Sequence, residues 1–252
     1  MAPPDIIAHV WKAGMDTMVL ADYFTAKGNQ VRFSRDQASR FAKEIANDFN
    51  PIHNADAKMF CVPGDLLFSV ALDHLGLSQR MRFNFSSMVT DNAVILPQSD
   101  ASLIEVMDEA GKQYLSIDRE GENTRDPLLI DRFTSRYVAF SGRAFPHILV
   151  PLMAEQGVMI NPARPLVIYQ SMEINLSHLN FNDPELEPTG SGLEVQGKKG
   201  IVRLDFRIME AGVEVGQGAK HMALRGLQPY QDEAMQTIVD TYNDNKLAYI
   251  TA

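Results

Sequence analysis

The pattern of apolar and polar positions predicts an amphipathic helix that begins behind Ser34. Apolar residues recur there at i, i+3, i+4, i+7 and i+8, which is one face of a helix. Ser34 followed by Gln37 is typical of a capping box, in which each side chain binds a free backbone N–H at the helix start. Pro51 disfavours helical geometry at the residue before it, so we expect the helix to end at Asn47 or Asp48. The apolar positions are Ala38, Phe41, Ala42, Ile45 and Ala46.

A second predicted helix is apolar on nearly every side. It opens at Pro63-Gly64, because proline is favoured in a first turn, and Gly76 closes it. Such a helix has to be wrapped by the rest of the fold, and we expect strands to do so. Ser102–Met107 and Gln113–Ile117 form a predicted hairpin among them. The apolar residues of this helix are Leu66, Leu67, Phe68, Val70, Ala71, Leu72 and Leu75.

Beyond a polar stretch, Arg119–Pro127, the chain repeats this outline. Phe145–Met153 predicts a short apolar helix, and the sequence from Asn180 to Gly192 is typical of a loop. Alternating residues predict strands on both sides of that loop, and Asp232–Asn243 predicts a closing helix. The predicted strands cover Met172–Ser177 and Val202–Ile208.

The repeated order of a helix followed by strands predicts two related halves of the α+β class. We interpret the polar stretch as the boundary between residues 1–123 and residues 128–252. A Glu-Ala-Gly turn occurs in each half, at Glu109 and at Glu210. Each half is therefore expected to enclose its own apolar helix.

Composition narrows the class of protein and of partner. The chain has 252 residues, of which 45% are hydrophobic and 22% charged, as in ordinary globular proteins. The net charge of −9, with no local cluster of Lys and Arg, argues against nucleic acid as a partner. Cys61 is the single cysteine, which fits a reducing compartment, and Met1–Asp5 lacks the start of a secretory signal. With no apolar stretch long enough to span a bilayer, we expect a cytoplasmic protein without membrane contact.

Familiar reactive motifs are missing from the sequence. It has no Gly-x-Ser-x-Gly elbow, no phosphate-binding loop and no Gly-x-Gly-x-x-Gly. No two of its six histidines stand three or four residues apart, so no metal site is expected. One cluster remains, in which Asp48 and His53 flank a turn made by Asn50 and Pro51.

The chemistry of this cluster is that of proton transfer. Bent by the proline, Asp48 and His53 can converge on one water molecule. The apolar helix begins shortly afterwards at Gly64, and the free N–H groups of its first turn can stabilise developing negative charge. Base, acid and oxyanion stabiliser are the parts needed for proton chemistry next to a carbonyl.

The same residues carry a family resemblance. Residues 33–72 resemble the MaoC-like, (R)-specific enoyl-CoA hydratases of the hot-dog superfamily. That family has the pattern Asp-x-Asn-Pro-x-His, then a glycine at the start of the central helix and a serine a turn later. The chain also resembles a proteobacterial hot-dog group known mainly by its sequence, which implies no activity. The matching residues are Asp48, Asn50, Pro51, His53, Gly64 and Ser69.

The resemblance implies a hydratase or dehydratase that acts on trans-2-enoyl thioesters of coenzyme A or acyl carrier protein. Asp48 would help to activate water, His53 would share that water and the proton transfer, and the Gly64 N–H would polarise the thioester carbonyl. Asn50 and Ser69 would belong to the substrate pocket. No cofactor is implied beyond coenzyme A as part of the substrate.

The resemblance also implies a double hot-dog, with two antiparallel sheets each wrapped around a central helix, and a C-terminal helix. The active site would lie in the first half, because the second half has no copy of the motif. Monomer and homodimer are both compatible with this fold. The hydratases usually have a longer segment before the helix glycine than the residues Asn54–Pro63 found here, and their acidic residue after the histidine is displaced to Asp56.

The residues alone also allow structural roles. Asp48 would then end the first helix, Asn50 and Pro51 would form a turn, and Gly64 would give a tight helix start. Ser69 would be a small residue packed in the core. Two other functions stay open beside the hydratase, namely a hot-dog acyl thioesterase, which has no need of the histidine, and a non-catalytic protein that binds acyl thioesters.

Overall fold

The structure is a computed structural model in which residues 18–251 are described. Met1–Asp5, where the sequence predicts no secretory signal, lies outside the described residues. The helices are α1 Arg35–Glu44, α2 Gly64–Leu75, α3 Pro127–Ser141, α4 Leu149–Glu155 and α5 Asp232–Ile250, with short 3-10 helices at Leu20–Tyr23 and Pro51–His53. The strands are β1 Thr25–Lys27, β2 Gln30–Arg32, β3 Leu77–Phe85, β4 Ala93–Ile95, β5 Leu103–Met107, β6 Gln113–Thr124, β7 Val158–Met159, β8 Leu166–Leu176, β9 Glu185–Gln196, β10 Lys199–Glu210, β11 Val213–Arg225 and β12 Gln228–Pro229.

Helix α1 is confirmed together with its capping box. Ser34 Oγ accepts the N–H of Gln37 at 3.1 Å, and Gln37 Oε1 accepts the N–H of Ser34 at 3.0 Å. The helix ends at Glu44, slightly earlier than predicted. Asn47 follows with a left-handed φ of 51°, which turns the chain into the loop that begins with Asp48.

Helix α2 is confirmed as the apolar helix that the fold encloses. Nine of its twelve residues are buried, and they lie all around its axis. It ends at Gly76, whose φ of 86° suits glycine. A Cβ at Gly76 would lie 2.5 Å from the carbonyl oxygen of Thr124, so the close approach of β6 also requires glycine there.

Ten strands form one antiparallel sheet, and β7 pairs separately with β12. β3 and β8 meet at the centre, from Arg80 opposite Asn175 to Asn84 opposite Ser171. Outward from that pair, the order is β3, β6, β5, β4, β2, β1 on one side and β8, β11, β10, β9 on the other. A helix followed by four strands thus occurs twice, with α2 leading β3–β6 and α3 leading β8–β11.

This arrangement confirms the predicted α+β double hot-dog with a C-terminal helix. It differs in one respect, because the two expected sheets are continuous through β3 and β8. Backbone hydrogen bonds therefore join the halves directly. The division into residues 1–123 and 128–252 stays a prediction.

Three local predictions differ from the structure. The predicted Phe145–Met153 helix is confirmed only in part, by α4, and the helix that packs beside α2 is α3, capped by Asp126, which the sequence pattern does not predict. β6 continues to Thr124 and includes most of the predicted polar boundary. The residues at this end of the strand are mostly exposed, which is why they are polar although they belong to a strand. β9 replaces most of the predicted Asn180–Gly192 loop. As an edge strand with one partner, β9 tolerates its proline and glycines.

Helix α5 extends beyond its predicted end and packs back on the first half. The Tyr242 hydroxyl donates to the carbonyl oxygen of Asn47 at 3.0 Å. The Tyr242 ring also packs edge-on against Phe49 and Phe145, with centroids 6.0 and 5.2 Å away. Within residues 18–251, no helix combines the length and apolarity needed to cross a membrane.

The C-terminal end of α3 presses on the backbone that precedes Asp48, which gives a stability prediction. A Cβ at Gly142 would lie 1.6 Å from the carbonyl oxygen of Ala46. We expect Gly142→Ala to lower the free energy of unfolding by about 2 kcal/mol through overpacking, measured by urea unfolding. Gly192→Ala is the control, because nothing lies within 4 Å of its added Cβ, and its change should stay within about 0.5 kcal/mol. Equal midpoints for the two variants would contradict this packing.

Candidate active site

A cavity of about 640 Å³ lies at the N-terminal end of α2. The first half contributes the loop after α1, the start of α2 and the end of β3, while the second contributes α3, β8, β11 and α5. Most of its lining side chains are apolar. Its volume is within the range of roughly 300–1,000 Å³ that is typical of small-molecule sites.

The loop that carries Asp48 and Asn50 into the cavity is fixed by short-range hydrogen bonds. The N–H of Asp48 donates to the Ala42 carbonyl at 2.7 Å, and Asp48 Oδ1 accepts the N–H of Asn50 at 2.9 Å. Asn50 Oδ1 then accepts the N–H of Ile52 at 3.2 Å and caps the 3-10 turn Pro51–His53. Asp48 Oδ2 takes no part in these hydrogen bonds, and Asp48 lines the cavity.

His53 is 8% exposed and is held in one orientation. Its Nδ1 lies 2.7 Å from the carbonyl oxygen of Cys61. A carbonyl oxygen can only accept, so Nδ1 carries the proton of the neutral ring and Nε2 has the free lone pair. Nε2 lies 3.7 Å from Asp48 Oδ2, so the structure brings together the two residues that the sequence pairs.

The short segment after His53 contributes to this orientation. The Cys61 N–H donates to the Ile52 carbonyl at 3.0 Å, and the Val62 N–H donates to the Val89 carbonyl at 2.9 Å. Residues 54–60 therefore lie in a loop that the hydrogen bond between Ile52 and Cys61 closes. The shortness of this segment is compatible with the Asp48–His53 pair.

Gly64 lines the cavity at the first position of α2, where a backbone N–H has no acceptor within the helix. The ring of Tyr169 packs directly on it, since a Cβ at Gly64 would lie 2.5 Å from Tyr169 Cδ1. Gly64 therefore allows β8 of the second half to approach the start of α2. Its proposed role toward a thioester stays a prediction.

Ser69 is placed apart from the other predicted residues. Its hydroxyl donates to the Asp65 carbonyl at 2.6 Å, and it lines a second depression beside Leu20 and Thr134. The physical reason is distance, because at 1.5 Å per residue Ser69 lies about 7.5 Å further along the helix axis than Gly64. The structure thus favours the role of a small packed residue over that of a pocket residue.

A second polar cluster in the cavity was missed by the sequence reasoning. Ser141 Oγ donates to Asp65 Oδ2 at 2.5 Å, and Lys220 Nζ donates to the same serine oxygen. Lys220 Nζ also lies 3.6 Å from Asp65 Oδ1 and 4.0 Å from the centroid of the Tyr169 ring. The Tyr169 hydroxyl is hydrogen-bonded to that of Tyr137.

The cluster combines α2, α3, β8 and β11, which are far apart in sequence. One feature of the sequence indicates this cluster. Lys220 alternates along β11 with the same two-residue period as the buried Met222 and Leu224, so it faces the same side of the sheet. A lysine at an inward strand position is rarely found without a partner. The sequence gives no means of identifying Asp65 or Ser141 as that partner.

Burial dominates the electrostatics of the tyrosines around the cavity. It raises the pKa of Tyr137 and of Tyr169 well above the usual value, and the nearby Asp65 carboxylate raises both further. Burial followed by the Asp48 carboxylate raises the pKa of Tyr242. These phenols are therefore neutral and can donate hydrogen bonds at physiological pH. Within the described residues, no group of three His, Cys, Asp or Glu side chains could hold a metal ion.

Comparison with known proteins gives a family match over most of the chain. Residues 18–233 match the model of the family described as "Protein of unknown function (DUF3581)". No curated protein matches the sequence significantly.

Three solved structures illustrate the structural matches, all at low similarity. An acyl-CoA thioesterase II from Mycobacterium marinum shares 9% identity at a TM-score of 0.40, covering 82% of this chain and 98% of that one. A MaoC-like dehydratase shares 11% identity at a TM-score of 0.39, covering 82% and 99%. The peroxisomal multifunctional enzyme type 2 from Drosophila melanogaster shares 14% identity at 0.42, covering 78% of this chain and 48% of that one. None of them decides the activity of this chain.

The single cysteine provides a test of how closed this part of the cavity is. Burial raises the pKa of the Cys61 thiol to about 12, so at pH 8 it is almost entirely protonated. Because the thiolate is the reactive form, the folded protein should react with an aromatic disulfide reagent at least about 100-fold more slowly than the unfolded protein. The measurement is the release of the coloured thiol, with the protein in denaturant as the control. Equally fast reaction of the native protein would contradict the raised pKa of Cys61.

Proposed function

The chain belongs to the DUF3581 family, and we propose that it is a hydratase or dehydratase acting on trans-2-enoyl thioesters. One observation carries the proposal. Asp48 Oδ2 and His53 Nε2 face each other at 3.7 Å in a largely apolar cavity, beside the N-terminus of the buried helix α2. The resemblance of residues 33–72 to the MaoC-like hydratases supports the same reaction.

The hydrogen bond to Cys61 determines what the pair can bind. Because Nδ1–H donates to that carbonyl, the neutral form of His53 presents the lone pair of Nε2 to the Asp48 carboxylate. Two acceptors at this distance suit one water molecule that donates an O–H to each of them. Such a water has its own lone pairs directed away from both groups and is activated by two bases.

The reaction adds the elements of this water across the double bond. Its oxygen forms a bond to C3 of the enoyl group, and its proton passes to the Asp48–His53 pair. The enolate that forms places negative charge on the thioester oxygen, where the Gly64 N–H at the first turn of α2 would stabilise it. The pair then returns a proton to C2, so one water is consumed and both residues are restored.

The apolar lining of the cavity suits an acyl chain. Its walls include Leu67 of α2 and, from the second half, Leu149, Val167, Met222 and Ile238. Binding there would be driven by removal of the hydrocarbon from water. The carrier would be coenzyme A or acyl carrier protein, and no other cofactor is proposed.

The direct test is loss of the conjugated enoyl-thioester absorbance with short trans-2-enoyl-CoA substrates. We expect turnover by the wild type, and Asp48→Asn and His53→Ala should each lower kcat by about 100-fold to 10,000-fold because each removes one of the groups that move the proton. Asp36→Asn and His147→Ala make the same chemical changes at exposed positions outside the cavity and should leave kcat unchanged.

A parallel assay of free thiol on the same variants separates the other two functions, because hydrolysis of the thioester also removes the conjugated absorbance. A thioesterase would release free thiol and would tolerate His53→Ala better than Asp48→Asn. A non-catalytic binding protein would bind acyl-CoA in the wild type and in both variants, and none of the three would convert it. A flat absorbance trace from folded wild-type protein, across several chain lengths, would contradict the hydratase proposal for coenzyme A substrates.

A further inference from the structure

The proposed hydration uses Asp48, His53 and Gly64 and leaves the second polar cluster without a role. That cluster consists of Asp65, Ser141, Tyr169 and Lys220, and all four residues line the same cavity. The side chains of Lys220 and Asp65 are 7% and 12% exposed. Their charges are thus held almost entirely out of water, in a cavity that is mostly apolar.

Fold stability is a poor explanation for this pair. Burying an ammonium and a carboxylate costs desolvation energy that their attraction seldom exceeds, and apolar residues of similar volume often serve a fold as well. The geometry is also incomplete, because 3.6 Å between Lys220 Nζ and Asp65 Oδ1 is too long for a direct hydrogen bond.

Asp65 is left with an unused acceptor. Its Oδ2 accepts from Ser141, whereas its Oδ1 is buried and has no hydrogen-bond donor among the described residues. Buried polar atoms nearly always have a partner, so an orphan on the wall of a cavity points to a group that the ligand supplies. That group must donate to Oδ1 beside an ammonium that is itself a donor.

A hydroxyl group meets both requirements, since its O–H donates to Asp65 Oδ1 and its oxygen accepts from Lys220 Nζ. The ion pair is neutral as a whole, which favours such an uncharged group over a second carboxylate. We propose that the Asp65–Lys220 pair is a specificity subsite for an acyl group that carries a hydroxyl. This inference rests on the proposed function, because it takes the ligand to be an acyl thioester.

Burial indicates which part of the ligand reaches the pair. The side chain of Asp48 is 29% exposed, whereas Lys220 is 7% exposed and Ser141 and Tyr137 behind it are buried. The carrier arm enters from solvent, so the inner wall at Lys220 meets the acyl group. Tyr169 packs on Gly64 with its ring and lies under Lys220, which places the subsite one ring away from the proposed carbonyl position.

The test measures binding rather than turnover. The probes are coenzyme A thioethers in which a methylene group separates sulfur from the carbonyl, so that they cannot be hydrolysed, and whose saturated chains cannot be hydrated. One chain is unsubstituted, and the others carry a hydroxyl at successive carbons from the fourth to the eighth. Calorimetry on the wild type should show at least about tenfold tighter binding for one hydroxyl position, because charged groups make strong hydrogen bonds.

The variant Asp65→Asn/Lys220→Met removes both charges together and keeps an acceptor for Ser141. It should lose the hydroxyl preference while retaining its affinity for the unsubstituted chain, and Lys199→Met at an exposed strand end is the matched control. If the double variant does not fold, Ser141→Ala replaces it, and its hydroxyl preference should fall by about threefold or more because Ser141 holds both members of the pair.

Each other outcome overturns the inference. Equal wild-type affinity at every hydroxyl position would mean that water or nothing occupies the gap, and the proposed function would stand. A preference that survives in the double variant would place the hydroxyl elsewhere. Coenzyme A alone is a further probe. If the double variant lost as much affinity for coenzyme A as for the hydroxylated probe, the pair would bind the pantetheine arm instead. No binding of any probe would reject the function for coenzyme A thioesters together with the subsite.

Discussion

Helix α2 is apolar on nearly every side, and the chain buries it by surrounding it with elements from both halves. β3 and the sheet cover one side of it, and α3 lies beside it. Removing this apolar surface from water is the dominant favourable contribution available to the fold. The pairing of β3 with β8 follows from the same need, because it makes one sheet wide enough to serve both α2 and α3.

Enclosing the helix leaves its first turn at the junction of the two halves, and the cavity forms there. Gly64 gives room for Tyr169, and Asp65 meets Lys220 across the junction. The Asp48–His53 loop reaches the same place because Asn47 turns the chain sharply after α1, and Tyr242 of α5 bonds to that turn. The fold and the candidate site therefore depend on the same packing, and the second half is part of the site although it lacks the motif.

How much the sequence predicts follows from how local each feature is. The capping box at Ser34 and the Asp48–His53 pair depend on residues a few positions apart, so a local sequence pattern predicts both. The residues of β9 predict a loop because an edge strand has one partner and can hold turn-forming residues. The Asp65–Lys220 pair joins a helix to a strand over 150 residues away in sequence, and no local pattern records such a contact.

The central claim is that the Asp48–His53 pair directs a water molecule at C3 of an enoyl thioester. The most direct measurement is to incubate the protein with trans-2-enoyl-CoA in water labelled with heavy oxygen and to determine the products by mass spectrometry. We expect an intact thioester that has gained one labelled water, with the label in a hydroxyl on C3, and no such product from Asp48→Asn or His53→Ala. Labelled free carboxylic acid, or unchanged substrate, would contradict it.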